Sequence, residues 1–183
     1  GLVLNGFHSN AIVMYTSNTD NCKIEGNFIG TDPTGMTAVQ NGGDGISILA
    51  GIGDLIGGTA PESRNVISGN RGNGVFINLG SSTVAGNFIG VGADGHTPIK
   101  NGTGIYLAGS GNTIGGTDVG ARNIISGNDN EGIAAHGSNQ VIQSNYIATD
   151  ATGTMDVGNA NPDGTSAGIT ISGGAPTNNI LVG

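Results

Sequence analysis

With 183 residues, 37 of them glycine, and only 10% charged residues carrying a net charge of −8, the chain can form one domain with a real core but lacks the residues of long helices. The glycines do not fall at every third position, which excludes collagen, and Ile and Val recur between turns, which excludes disorder. An acidic pI near 4.4 without a basic patch excludes a nucleic-acid partner, and no apolar run approaches the ~20 residues of a membrane span.

In chain order, residues 2–14 align with residues 65–77, so the sequence opens midway through a repeat unit. Cys22, the single cysteine, has no disulfide partner and reads as a small buried residue. "EGNFIG" (25–30), the loop "TDPTG" (31–35), "GISI" (45–48), "LIGGT" (55–59) and "SRNVISGN" (63–70) then follow in order. The series returns as "AGNFIG" (85–90), with Gly86 lying 60 residues after Gly26, then "GADG" (92–95), "TIGGT" (113–117) and "ARNIISGN" (121–128). It begins a third time with "QSNYIA" (143–148) and "TDATG" (149–153), and "NNILVG" (178–183) closes midway through a unit. No signal peptide and no capping helix are visible, so the chain reads as a mature or excised piece.

A half-period lies inside this repeat. Strand starts fall at Gly45, Gly74, Gly104, Gly132 and Gly168, at offsets of 29, 30, 28 and 36, with Ala11 as an earlier member. Each half-period is expected to be one coil of about three short strands, with two coil types alternating; a coil of about 20 residues is the alternative. Period-two alternation predicts one inward column of Ile12, Ile46, Val75, Ile105, Ile133 and Ile169, and a second of Met14, Ile48, Ile77, Leu107, Ala135 and Ile171. Glycines before Asn, such as Gly69, Gly86 and Gly127, are placed at corners needing positive φ. Asn70 and Asn128, like Asn27, Asn87 and Asn145, recur two coils apart, which leaves a continuous Asn ladder open. The expected fold is all-β: one right-handed parallel β-helix over residues 1–183, about six coils and without caps.

The phrases "GNFIGTDPTG" (26–35), "NTIGGT" (112–117), "RNVISGN" (64–70) and "GISI" resemble the right-handed parallel β-helix repeats of the pectate-lyase-like superfamily. More narrowly they resemble the Asn/Gly-rich repeats of large secreted bacterial surface proteins. The resemblance covers essentially the whole chain and implies a secreted or cell-surface location. These repeats occur in enzymes, adhesins and architectural proteins alike, so function must come from a site.

The catalytic members use several carboxylates, or carboxylates with Arg or Lys, on one outer face. Here Lys and Arg number five, and "NTD" (18–20) and "AHG" (135–137) lack the paired aspartates and basic motif, so no catalytic residue is assigned. Asp32, Asp94 and Asp150 recur in the loops as Asx-turn carboxylates or as Ca²⁺ ligands, calcium being the one cofactor weighed; calcium needs about 6–8 oxygens, which favours the turn. Arg64 and Arg122 are expected to bond loop carbonyls, and His8, His96 and His136 to lie on the surface. Phe28, Phe88 and Tyr146 alternate outward on one strand, and Phe76 and Tyr106 on another. These five are the carbohydrate-binding candidates, the alternative being that loops or a neighbouring copy cover them. The expected function is a non-catalytic structural or adhesive segment, with a carbohydrate-active enzyme or binding module as the alternative. Its expected partner is a polysaccharide, a cell-surface component, or a second copy meeting uncapped coil ends.

Overall fold

The computed structural model describes residues 1–16, 18–160, 164–173 and 178–183. The first coil runs β1 (Val3–Leu4), β2 (Ile12–Met14) and β3 (Lys23–Ile24); the second runs β4 (Phe28–Ile29), β5 (Ile46–Ile48) and β6 (Asp54–Gly57). The third is β7 (Val66–Ile67), β8 (Val75–Ile77) and β9 (Ser82–Ala85), and the fourth β10 (Phe88–Ile89), β11 (Ile105–Leu107) and β12 (Thr113–Gly115). The fifth is β13 (Ile124–Ile125), β14 (Ile133–Ala135) and β15 (Val141–Gln143), and the sixth β16 (Tyr146–Ile147), β17 (Ile169–Ile171) and β18 (Ile180–Val182). Each coil gives one strand to each of three parallel six-stranded sheets, which makes the chain a parallel β-helix of six coils. Among the described residues the helical content is two single 3-10 turns, Pro61–Ser63 and Val119–Ala121.

Register in the second sheet pairs Ile12, Ile46, Val75, Ile105, Ile133 and Ile169 in sequence, and Met14, Ile48, Ile77, Leu107, Ala135 and Ile171 beside them. Both predicted columns are therefore real. The interior Ile and Val of all three sheets form one core, and Cys22 packs against it half-buried. Each buried aliphatic contributes roughly 1.5–3 kcal/mol, which two-residue strands gain only because neighbouring coils cover both edges. Rungs at the two ends lack one neighbour, and Ile171 and Leu181 are correspondingly exposed.

Polar side chains line the entrance to each sheet. At the first, Asn27, Asn65, Asn87, Asn123 and Asn145 form a continuous ladder, each Nδ2 donating to the next Oδ1 at 3.1, 2.8, 3.1 and 2.9 Å. At the second, Asn41, Asn70, Asn101, Asn128 and Asn159 do the same at 2.8, 2.9, 3.0 and 2.9 Å. Successive rungs of the first ladder lie 38, 22, 36 and 22 residues apart, while those of the second lie 29, 31, 27 and 31 apart. The coil is thus about 30 residues, not 20, and its two alternating types differ in where the extra length sits. Coils two, four and six carry a long loop after the first sheet; coils three and five are instead preceded by a longer connection, containing a 3-10 turn in each case.

Candidate functional site

Outside the first sheet, Phe28, Phe88 and Tyr146 do point outward, but into a second apolar cluster with Val66, Val91, Ile124 and Val157. The long loops cover them. A Cβ on Gly35 would stand 2.5 Å from the Phe28 ring, and one on Gly153 would stand 2.9 Å from the Tyr146 ring, so each loop presses its glycine onto an aromatic. From the other side the Arg64 guanidinium lies 4.2 Å from the Phe88 centroid and that of Arg122 lies 4.0 Å from the Tyr146 centroid. Both arginines also donate from Nε to corner carbonyls, of Gly86 and of Ser144, at 3.1 Å. Phe88 is only 7% exposed, so its ring has no free face on which a sugar could stack.

The loop carboxylates are consumed by their own turns. Asp32 accepts the Thr34 hydroxyl at 2.8 Å and the Met36 and Thr37 amides at 3.1 Å; Asp150 accepts from Thr152, Thr154 and Met155 in the same pattern. Asp94 holds Thr97 and His96. The Thr152 hydroxyl, with the loop amides, lowers the Asp150 carboxyl to about 2, and Asp32 is lowered by Thr34 and its amides in the same way. Burial pushes Asp94 up, but the Thr97 hydroxyl and amide, the His96 amide and the His96 ring outweigh it. Since all three are depressed, the stability they carry is present above the ordinary carboxylate value and lost as pH falls through their folded values. Acidification below about pH 4 should therefore lower the protection of the Thr154 and Met155 amides against exchange, relative to their intrinsic rates, with the loss centred near pH 2. Protection unchanged below about pH 2 would contradict this.

On the outer face of the second sheet Phe76 and Tyr106 are half-buried, His136 is exposed, and none of the three belongs to an apolar cluster. Register places Val13, Ser47, Phe76, Tyr106, Ala134 and Thr170 in one outward row. The Phe76 and Tyr106 rings lie 5.6 Å apart at 41°, and His136 stacks on Tyr106 at 4.8 Å and 30°. His136 Nδ1 meets the Ser172 hydroxyl at 2.7 Å. The sequence singled out His136 only in "AHG" and as an expected surface residue, and Ser172 not at all, because the two share no repeat motif. The pair has the bond of a nucleophile and its base, yet among the described residues no carboxylate orients the imidazole. Near the turn into the third sheet, Tyr15, Ile52 and Leu79 are 73%, 57% and 58% exposed.

A cleft of about 550 Å³ separates the first two long loops, with Gly69, Asn70 and Arg71 among its lining residues. Lys100 on one wall pairs with Asp129 at 2.7 Å, while the Arg71 guanidinium has no acidic partner among the described residues. "NTD" and "AHG" fall in the first and fifth coils, roughly 19 Å apart along the axis, and do not converge. Among the described residues no group of three His, Cys, Asp or Glu side chains is placed to hold a metal, and no helix is long and apolar enough to cross a membrane. No protein-family model, no curated protein and no solved structure matches the chain.

Proposed function

We propose that this chain is a non-catalytic structural and adhesive segment of a secreted or cell-surface protein, a stiff spacer that contacts carbohydrate through the open face of its second sheet. The observation that carries this reading is the division of labour among its polar and aromatic side chains. The interior Asn ladders and the first-sheet aromatics are engaged in holding coil to coil and the loop carboxylates in holding their own turns, which leaves Phe76, Tyr106 and His136 as the aromatic row for a ligand. The resemblance to repeats of secreted bacterial surface proteins supports the location. Tyr106 contributes the phenol hydroxyl that suits a sugar hydroxyl, and the neighbouring coils repeat at about 4.8 Å, a spacing that lets an extended polymer meet successive rungs.

Tyr106→Ala should weaken binding to a responsive polysaccharide about tenfold in affinity electrophoresis. Phe88→Ala, which removes a covered ring, should lower stability and leave binding unchanged. Equal losses for both variants would remove the second-sheet face from consideration. The second reading is a carbohydrate-active β-helix, favoured by the cleft beside Arg71. Incubation with polyuronates, with and without Ca²⁺, decides between them: release of unsaturated product would end the non-catalytic reading.

A further inference from the structure

The entrance to the third sheet carries a ladder with a fault in it. Here too a side-chain oxygen accepts the backbone N–H of the coil before. Asp54 Oδ1 takes that of Cys22 at 2.9 Å, Asn112 that of Ser82 at 3.0 Å, Gln140 that of Asn112 at 3.0 Å and Asn179 that of Gln140 at 2.8 Å. The amides complete the wall by donating: Asn112 and Gln140 both reach the Gly109 carbonyl, at 3.4 and 2.6 Å. Asp54 and Ser82, opposite each other on adjacent coils, do not. They are 2% and 3% exposed, and Asp54 Oδ2 and Ser82 Oγ are buried polar atoms with no hydrogen-bond partner among the described residues.

An ionised carboxylate cannot fill this place, because it has nothing to donate and its second oxygen is left dry. Oδ2 lies against Gly51, where a Cβ would stand 2.9 Å from it. Gly51 precedes Asp54 by three residues, as Gly109 precedes Asn112, so the atom without a partner occupies the site from which Asn112 donates. The Thr19 hydroxyl nearby already serves the Thr16 and Ala50 carbonyls at 2.6 and 3.3 Å. The titratable groups facing Asp54 from the first coil are the Asp20 carboxylate and the half-buried Cys22 thiol; Ser82 faces it from the third, and among the described residues no cation pairs with it.

We propose that Asp54 is a protonation switch built into the solenoid wall: neutral, it supplies the missing donor and closes the ladder; ionised, it loosens the corner that joins the first three coils. Burial raises the Asp54 carboxyl above its ordinary value and the Asp20 charge adds to this, while the Cys22 amide only partly opposes it. With the folded value raised, the stability is fully present below the ordinary carboxylate value and lost as pH rises through the folded one. Between the two the unfolding equilibrium constant grows about tenfold per pH unit. The loop carboxylates act in the opposite sense and only below the ordinary value, so the window above about pH 4 belongs to Asp54.

The test compares denaturant unfolding of the wild type and Asp54→Asn between about pH 4 and 9. Asp54→Asn supplies the amide permanently. Its advantage over the wild type should widen as pH rises above about 4, then level off once Asp54 is ionised in both states. The protection of the Cys22 amide against exchange, relative to its intrinsic rate, should fall at high pH in the wild type alone. Parallel pH profiles for the two proteins would overturn the proposal. Should the variant fail to fold, carboxyl carbon shifts of the wild type give the answer unaided: one aspartate titrating above all the others supports the switch, and none doing so overturns it.

Discussion

Asn101→Asp should cost about 4 kcal/mol or more of folding stability at neutral pH, although it exchanges a single NH₂ for oxygen. Asn101 is fully buried in the second ladder. Its Oδ1 accepts the Asn70 backbone and side-chain N–H at 3.0 and 2.9 Å, and its Nδ2 donates to the Ile67 carbonyl and Asn128 Oδ1 at 2.9 and 3.0 Å. Aspartate keeps the first pair and loses the second, turning one oxygen against two others, the Ile67 carbonyl and Asn128 Oδ1. Each buried group left without its partner costs about 1–3 kcal/mol, and the charge adds to that. The deficit should shrink on acidification, because a protonated carboxyl restores one donor. Equilibrium denaturation measures it; a loss under about 1 kcal/mol would mean that the ladder contributes little. Asp54 stands where its ladder is already open, its Oδ2 and the Ser82 hydroxyl both lacking partners among the described residues, so a charge there removes no side-chain ladder bond of the kind Asn101 makes.

The two ladders also show what the sequence can and cannot disclose. The second-sheet columns were legible because "GISI"-type strands alternate with period two and return at nearly constant spacing. The first ladder was hidden in plain view: Asn65 and Asn123 belong to the "RN" phrase while Asn27, Asn87 and Asn145 belong to the "GN" or "SN" phrase. Successive rungs alternate between about 37 and 22 residues apart, so copies 60 apart looked like second neighbours with an unfilled gap. The long loops absorb the difference. They also decide the fate of the first-sheet aromatics, since alternation gives the side of the sheet a ring occupies but not what folds back over it. The signal for a cover was present in the recurring glycine a few residues downstream of each ring, Gly35, Gly95 and Gly153, all at positive φ. The pairing of His136 with Ser172, 36 residues apart on adjacent coils, follows from register alone and has no motif behind it.

Gly90→Ala should cost about 3–5 kcal/mol, more than its backbone angle alone would predict. Gly90 has φ +87, and a left-handed alanine costs about 1–2 kcal/mol. The larger part is contact with the next coil: a Cβ there would stand 2.3 Å from the Ser126 carbonyl oxygen and 2.4 Å from Asn128 Oδ1, a ladder atom that cannot retreat without unseating its neighbours. The chain contains its own control. Ala148, the counterpart of Gly90 in "QSNYIA", already holds φ +65, and it follows β16, the last strand of the first sheet, with no described strand beyond to crowd it. Gly111 supplies a second control, since at φ +79 its Cβ would find its nearest neighbour 3.5 Å away. Gly111→Ala should therefore pay only the backbone cost, and thermal unfolding should separate the two variants by about 2 kcal/mol. Equal losses at both positions would show that backbone strain, and not the stacking of coil on coil, is what demands glycine at these corners.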